Sequence, residues 1–196
     1  MYRNDLKRHA VGGAGTLLIG YGNPLCGDDG AGPAVVQRLE RLLGRQADGA
    51  ITWRIERQPL PELAEPISRA RRVIFIDASV CLAPGQVQVH RLRAQDPEYC
   101  LGHHLSPEQL LALCREGFGA CPAEVWMVAI GAQSMVLGDE LSGVVAQTIE
   151  RLCRHLQYRL QLWMRHESRW LSEMEASPRL RFTGTPLEMD EANGKC

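Results

Sequence analysis

The feature that most constrains the fold is an unbroken apolar run, Val73-Ile74-Phe75-Ile76, that ends in an acid, Asp77. Consecutive β-branched and aromatic residues, without the alternation of a half-exposed strand, are typical of a strand that is covered on both faces in a parallel sheet. Parallel strands need long crossover connections, and these are usually helices that pack on the two faces of the sheet. The run therefore predicts an α/β fold.

The rest of the chain supports this prediction because strand-like and helix-like segments alternate along it. Further strands are predicted at 16–19, 51–57, 86–92 and 125–130, the third of them as an edge strand or hairpin partner. Helices are predicted after Asp28-Asp29, from Pro61, from Pro107 behind the N-cap Ser106, and from Asp139 to about Trp163. We expect a three-layer αβα architecture with a mostly parallel, twisted sheet of about five strands flanked by helices.

The domain organisation follows from length and from a change in composition. At 196 residues the chain is close to the size of one domain. We expect a single α/β domain over residues 1–164. Residues 165–196 are polar and contain prolines and glycines, which predicts a partly ordered or disordered tail.

Composition excludes several classes of partner. The formal net charge is -1, which gives no electrostatic reason to bind nucleic acid or an acidic membrane. The sequence has neither a secretory signal nor an apolar stretch of the ~20 residues that a membrane span needs. The seven cysteines form no Cys-x-x-Cys pair, so we expect reduced thiols in a cytoplasmic protein. Cys26, in the glycine turn beside the acids, is a conceivable nucleophile, although a structural role is the simpler interpretation.

The candidate functional residues lie where the predicted strands end. Asp28 and Asp29 follow the first strand, Asp77 closes the central one, and His103-His104 precede a helix. Ligands of open α/β sheets bind outside the carboxyl ends of the strands, so these groups should share one edge. Two carboxylates and an imidazole suit Zn, Ni or a similar divalent ion. Taken singly, the two acids of the turn are more simply explained as helix caps and the histidines as a solvated pair. Asp77 alone is as consistent with a functional role as with a turn.

A nucleotide site is the alternative that the glycine turn suggests. Gly20-Tyr21-Gly22 after a strand is similar to the opening of a dinucleotide-binding motif, but the third glycine of that motif would fall at Leu25. Two carboxylates at the helix start would also repel a phosphate. A nucleotide-using α/β enzyme is therefore the weakest of the hypotheses.

The segment GYGNPLCGDDGAGPAVV resembles the N-terminal signature of the hydrogenase maturation endopeptidases, the processing proteases of [NiFe] hydrogenases. Three later segments resemble that family in the same register, so that the similarity spans about residues 16–163: VIFIDASVCLAPGQV, HHLSPEQLL and VWMVAIGAQ. The segment Gly131-Ala132-Gln133-Ser134 matches the family's loop only approximately, and the tail after Trp163 extends past the family's usual end.

The resemblance implies a protease that trims a C-terminal extension from the hydrogenase large subunit once nickel has been inserted. It also implies a set of three metal ligands, which in this sequence are Asp29, Asp77 and His104, with His103 as the runner-up for the third. Some relatives place the histidine just after the proline, where this chain has Glu108. The metal would be the nickel that the substrate carries, although another divalent ion could occupy the same site.

Two hypotheses of different class follow from the resemblance. The first is a nickel-checking endopeptidase whose catalytic residues are Asp29, Asp77 and His104 and whose partner is the large-subunit precursor. The second is a non-catalytic maturation partner that binds the same precursor and leaves it intact. The Asp-Asp form of the turn and the His-Leu-Ser-Pro run resemble the proteases of soluble NAD-linked or formate-linked hydrogenases more than those with Glu in the turn.

Overall fold

The computed structural model describes residues 15–47, 49–94 and 105–165. Its elements alternate along the chain as the sequence predicts. The strands are β1 (Thr16–Tyr21), β2 (Ile51–Glu56), β3 (Arg72–Ser79), β4 (Val87–Arg91) and β5 (Glu124–Gly131). The helices are α1 (Ala31–Leu43), α2 (Ala64–Arg69), α3 (Pro107–Phe118) and α4 (Gly143–Arg165), with short 3₁₀ turns at Gly27–Gly30, Gly44–Ala47 and Pro61–Leu63.

The five strands form one sheet in the order β2-β1-β3-β5-β4. β2, β1, β3 and β5 are parallel, whereas β4 pairs antiparallel with β5 at the edge. The central strand β3 is buried from Arg72 to Ile76, as its apolar run predicts. The predicted fold class is confirmed, and so is the position of 86–92 as an edge strand.

Each face of the sheet is covered by its own pair of helices. Leu18, Ile74 and Ile76 belong to a core cluster with residues of α1 and α4. Their neighbours along the strands, such as Ile19 and Phe75, belong to a second cluster with residues of α2 and α3. Because side chains alternate along a strand, Asp77 follows Val73 and Phe75 onto the α2–α3 face.

One predicted helix start is confirmed by the structure and another is wrong. α3 begins as predicted, because Ser106 accepts from the N–H of Gln109 while the Gln109 side chain accepts from the N–H of Ser106, a complete capping box. The prediction that the last helix starts at Asp139 is wrong, since α4 starts at Gly143. The Ser142 hydroxyl accepts from the N–H of Val145, so Ser142 and not the acid begins the helix.

α1 approaches the sheet closely because Gly32 has no side chain. A methyl group at Gly32 would lie 2.6 Å from the carbonyl oxygen of Tyr21 and still closer to that of Ile76. Both oxygens belong to strand backbone at the end of the sheet where the candidate acids lie, and strand backbone cannot move aside without disrupting the ladder. The glycine therefore sets the distance between the acidic turn and β3.

We expect Gly32→Ala to destabilise the protein by roughly 1–3 kcal/mol, because an overpacked contact against backbone forces the helix away from the sheet. The matched control is Gly143→Ala, a glycine at the start of α4 where an added methyl group meets nothing within 4 Å. That control should be neutral or stabilising by about 0.5–1 kcal/mol. Urea unfolding of both variants measures the difference, and equal stabilities would contradict the argument.

Candidate active site at the carboxyl edge of the sheet

The acidic turn joins β1 to α1, and its two acids have different roles. Asp28 is fully buried, whereas Asp29 is partly exposed. The expectation that an acid of this pair caps the following helix is wrong, because neither the 3₁₀ turn nor α1 has a side-chain cap. Asp28 instead accepts hydrogen bonds from a distant segment, and Asp29 accepts one from Asn23 earlier in the same turn.

Asp28 holds the connection between β5 and α4. Its Oδ2 accepts from the N–H of Gln133 at 2.8 Å, the N–H of Ser134 at 3.1 Å and the hydroxyl of Ser142 at 2.8 Å. Its Oδ1 accepts from the N–H of Ser142 at 2.7 Å. Burial raises the pKa of the Asp28 carboxyl, but the bonds from Ser142, Gln133 and Ser134 outweigh burial and leave the pKa below its ordinary value. Asp28 is therefore an ionised structural centre that fixes the loop 132–142 to the acidic turn.

Asp29 is held by the turn that precedes it. Its Oδ2 accepts from the N–H of Asn23 at 2.8 Å. Asn23 also donates from Nδ2 to the Cys26 sulfur at 3.1 Å, and its Oδ1 accepts from the N–H of Leu25. Gly22 makes room for this arrangement, since its φ is +130° and a side chain there would collide with the Asp29 carbonyl. Asn23 thus orients one oxygen of Asp29 and constrains Cys26 at the same time.

Asp77 lies within electrostatic range of Asp29. Burial raises the pKa of the Asp77 carboxyl to about 7, and the negative charge of Asp29 adds to this rise. The hydrogen bond from the N–H of Ala78 and the nearby Tyr21 hydroxyl lower this pKa and so act in the opposite direction. The charge of Asp29 disfavours ionisation of Asp77, and a cation between the two carboxylates would offset this repulsion. This donor set therefore fits a divalent metal ion.

Tyr21 is a site residue that the sequence reasoning missed. It ends β1 on the same face as Asp77, and its ring lies edge-on to Phe75 with centroids 6.4 Å apart. Burial and then the charge of Asp77 raise the pKa of the phenol, so it stays protonated. Its hydroxyl lies close to Asp77 and donates to the Met127 sulfur at 3.9 Å. The sequence carries a signal for it, because residues 17, 19 and 21 lie on one face of the strand.

The third predicted ligand, His104, and its runner-up, His103, lie outside the described residues. Leu105, the next residue along the chain, packs against the core cluster that contains Tyr21 and Phe75. Glu108, the alternative position, is in the first turn of α3, where its charge contributes to the raised pKa of Tyr21. Within residues 15–47, 49–94 and 105–165, no three His, Cys, Asp or Glu side chains are grouped to hold a metal ion.

The cysteines that the structure describes are all free thiols: Cys26, Cys81, Cys114, Cys121 and Cys153. Burial raises the pKa of Cys114 and that of Cys153 to about 12, so these two are inert core residues. In the part of the chain that the structure describes, no helix is both long enough and apolar enough to cross a membrane.

The fold and the site together define a class: a three-layer α/β protein that presents paired carboxylates at the carboxyl edge of a mostly parallel sheet. Comparison with solved structures takes the identification further. The chain is similar in structure to hydrogenase maturation proteases, so the resemblance found in the sequence is confirmed. No protein-family profile and no curated sequence matches the chain.

Three of these structures show the extent of the similarity. The [NiFe] hydrogenase maturation protease HycI from Thermococcus kodakarensis KOD1 is 22% identical with a TM-score of 0.57, over 76% of this chain and 93% of its own. The hydrogenase maturating endopeptidase HybD from E. coli is 22% identical with a TM-score of 0.57, over 75% and 92%. The hydrogenase 2 maturation peptidase from a Thaumarchaeota archaeon is 25% identical with a TM-score of 0.56, over 76% and 99%.

Proposed function

We propose that this chain is an endopeptidase that removes the C-terminal extension from the large-subunit precursor of a [NiFe] hydrogenase after nickel has been inserted. The observation that carries the proposal is the meeting of Asp29 and Asp77 at one edge of a fold that hydrogenase maturation endopeptidases share. The sequence resemblance assigns ligand roles to these same two residues. We further propose that the protein acts in the cytoplasm.

In this proposal the nickel of the precursor is part of the substrate. Asp29 is oriented through Oδ2 by Asn23, and Asp77 through Oδ1 by Ala78. We propose that the remaining carboxylate oxygens contact the nickel and that His104 completes the set. Leu105, which follows His104 in the sequence, packs against the cluster on the Asp77 face, and this supports the choice. Another divalent ion could take the same position in the isolated protein.

Recognition of the metal explains why cleavage would follow nickel insertion. A precursor without nickel would bring no cation to offset the repulsion between the two carboxylates, so it would bind weakly at this edge. A bound nickel also places the scissile peptide near the site, where the metal can polarise its carbonyl or activate a water molecule for attack. The products are the mature large subunit and the released C-terminal peptide.

The test is intact-mass measurement of purified precursor after incubation with this protein. The nickel-loaded precursor should lose its C-terminal extension, and the same precursor prepared without nickel should keep its full mass. Full-length precursor in both samples would contradict the proposal. If the nickel-loaded precursor bound tightly and stayed intact, the non-catalytic partner would be the better description.

A further inference from the structure

Large apolar side chains that face solvent are unevenly distributed over the described residues. They are Leu25, Leu42, Ile55, Leu60, Val80, Phe118, Val136, Leu137 and Tyr158. Those in the connections that follow β1, β2, β3 and β5 are Leu25, Leu60, Val80, Val136 and Leu137. Single exposed apolar residues are ordinary, but several around one edge of a sheet mark an interaction surface. This edge is also the one that carries Asp29 and Asp77.

Leu25, Val136 and Leu137 form the part of this surface nearest the acidic turn, and we call them the apolar rim. They are 60%, 60% and 72% exposed. Their two segments are joined by backbone hydrogen bonds, from the N–H of Gly138 to the carbonyl of Leu25 at 2.7 Å and from the N–H of Gly27 to the carbonyl of Asp139 at 3.2 Å. The apolar rim is therefore a built surface in which two loops hold each other in place.

Asp28 fixes the apolar rim relative to the metal-binding acid. Its carboxylate binds Gln133, Ser134 and Ser142 in the loop that carries Val136 and Leu137. The next residue is Asp29. A chain that docks on the apolar rim is consequently held in a defined position relative to the Asp29 carboxylate.

The two segments that carry the apolar rim contain charges of one sign. Residues 22–30 and 132–142 contain Asp28, Asp29, Asp139 and Glu140 and no Lys, Arg or His. Asp28 is buried and its charge is directed at its four hydrogen-bond donors, which leaves three acids beside the exposed apolar side chains. Electrostatic complementarity then favours a partner whose apolar segment is accompanied by cationic side chains.

We propose that the apolar rim is the docking surface for the large-subunit precursor, and that it binds an apolar segment of that chain flanked by Lys or Arg residues. This inference rests on the proposed function and deepens it. It assigns to Leu25, Val136 and Leu137 the recognition of polypeptide, separate from the recognition of nickel by the carboxylates. A small nickel complex would need only the carboxylates.

The test compares the double variant Leu25→Ser/Leu137→Ser with Leu42→Ser, an exposed leucine of α1 away from the edge. In cleavage of the nickel-loaded precursor by the full chain, the double variant should raise KM about tenfold or more and leave kcat at saturation unchanged, since apolar anchors contribute to docking and not to the chemical step. The control should keep the wild-type KM. Added salt should raise the wild-type KM as well.

The other possible outcomes distinguish failure of the docking surface from failure of the proposed function. A wild-type protein that cleaves, with an unchanged KM in the double variant, overturns the docking surface and leaves the proposed function standing. A wild-type protein that does not cleave overturns both. Two further outcomes, each with KM unchanged, would also overturn the docking surface. If sedimentation showed a wild-type dimer that dissociates in the double variant, the apolar rim would contact a second copy of this chain. If the double variant alone lost thermal stability, the apolar rim would contact another segment of this chain.

Discussion

Asp28→Asn should destabilise the protein by about 3 kcal/mol, although the two side chains have the same shape. The Asp28 carboxylate accepts four hydrogen bonds in a fully buried site. An asparagine amide has one acceptor oxygen, so its NH₂ group must face either the N–H of Ser142 or the donors at the other oxygen. Two buried donors would then point at each other without an acceptor. Urea unfolding at pH 7 measures the loss.

The pH dependence of this effect has a definite sign. Because the folded-state pKa of Asp28 lies below its unfolded value, the ionised carboxylate stabilises the fold above the unfolded pKa, and this stability is lost as pH falls through the folded pKa. The difference between wild type and Asp28→Asn should therefore be largest near neutral pH and should shrink in acid. The matched control, Asp139→Asn, changes an exposed acid of the same loop whose carboxylate accepts from the Ser134 hydroxyl at 2.9 Å. It should change stability by less than about 0.5 kcal/mol. Equal losses in the two variants would contradict the role given to Asp28.

The second large effect is on catalysis. Asp29→Asn and Asp77→Asn should each lower the rate of trimming of the nickel-loaded precursor by on the order of 10³-fold, since a neutral amide cannot supply the charge that the metal requires. Asparagine at either position can still accept the backbone hydrogen bond that the aspartate accepts, from Asn23 or from Ala78. The loss should thus be one of charge and not of structure. Intact-mass time courses measure the rate, with the exposed Glu116→Gln as the control that keeps wild-type activity.

Asp77→Asn, unlike Asp28→Asn, should not destabilise the fold. Its folded-state pKa is raised to about 7, so the wild-type fold loses stability as pH rises from the ordinary carboxyl pKa through 7. In metal-free buffer at pH 8, Asp77→Asn should therefore melt at the same temperature as wild type or higher, although it trims the nickel-loaded precursor on the order of 10³-fold more slowly. A variant that is both inactive and strongly destabilised would show that Asp77 is structural.

The sheet is predictable from the sequence because each strand has a local residue pattern that is typical of a strand. The run 73–76 is apolar at every position, and only a strand between two helical layers buries all of them. The start of α3 was equally readable, because Ser106, Pro107 and Gln109 form a cap from local residues alone. α4 was placed too early, because Asp139 and Ser142 both carry cap chemistry and the choice between them depends on Asp28, more than a hundred residues away.

The candidate site, like the fold, is predictable from the sequence in part. Composition, the acidic turn and the acid after the central strand determined from the sequence alone that two carboxylates would share the carboxyl edge, since every parallel strand ends there. The family resemblance already assigns the metal to Asp29 and leaves Asp28 to fix the loop, but only the tertiary structure gives the physical reason. Asp28 accepts hydrogen bonds from Gln133, Ser134 and Ser142, and Asp29 is left near Asp77. Adjacent residues of one type are equivalent in a sequence and become different only when distant segments supply donors to one of them. The apolar rim has the same origin, because the backbone bond between Leu25 and Gly138 exists only in the folded chain.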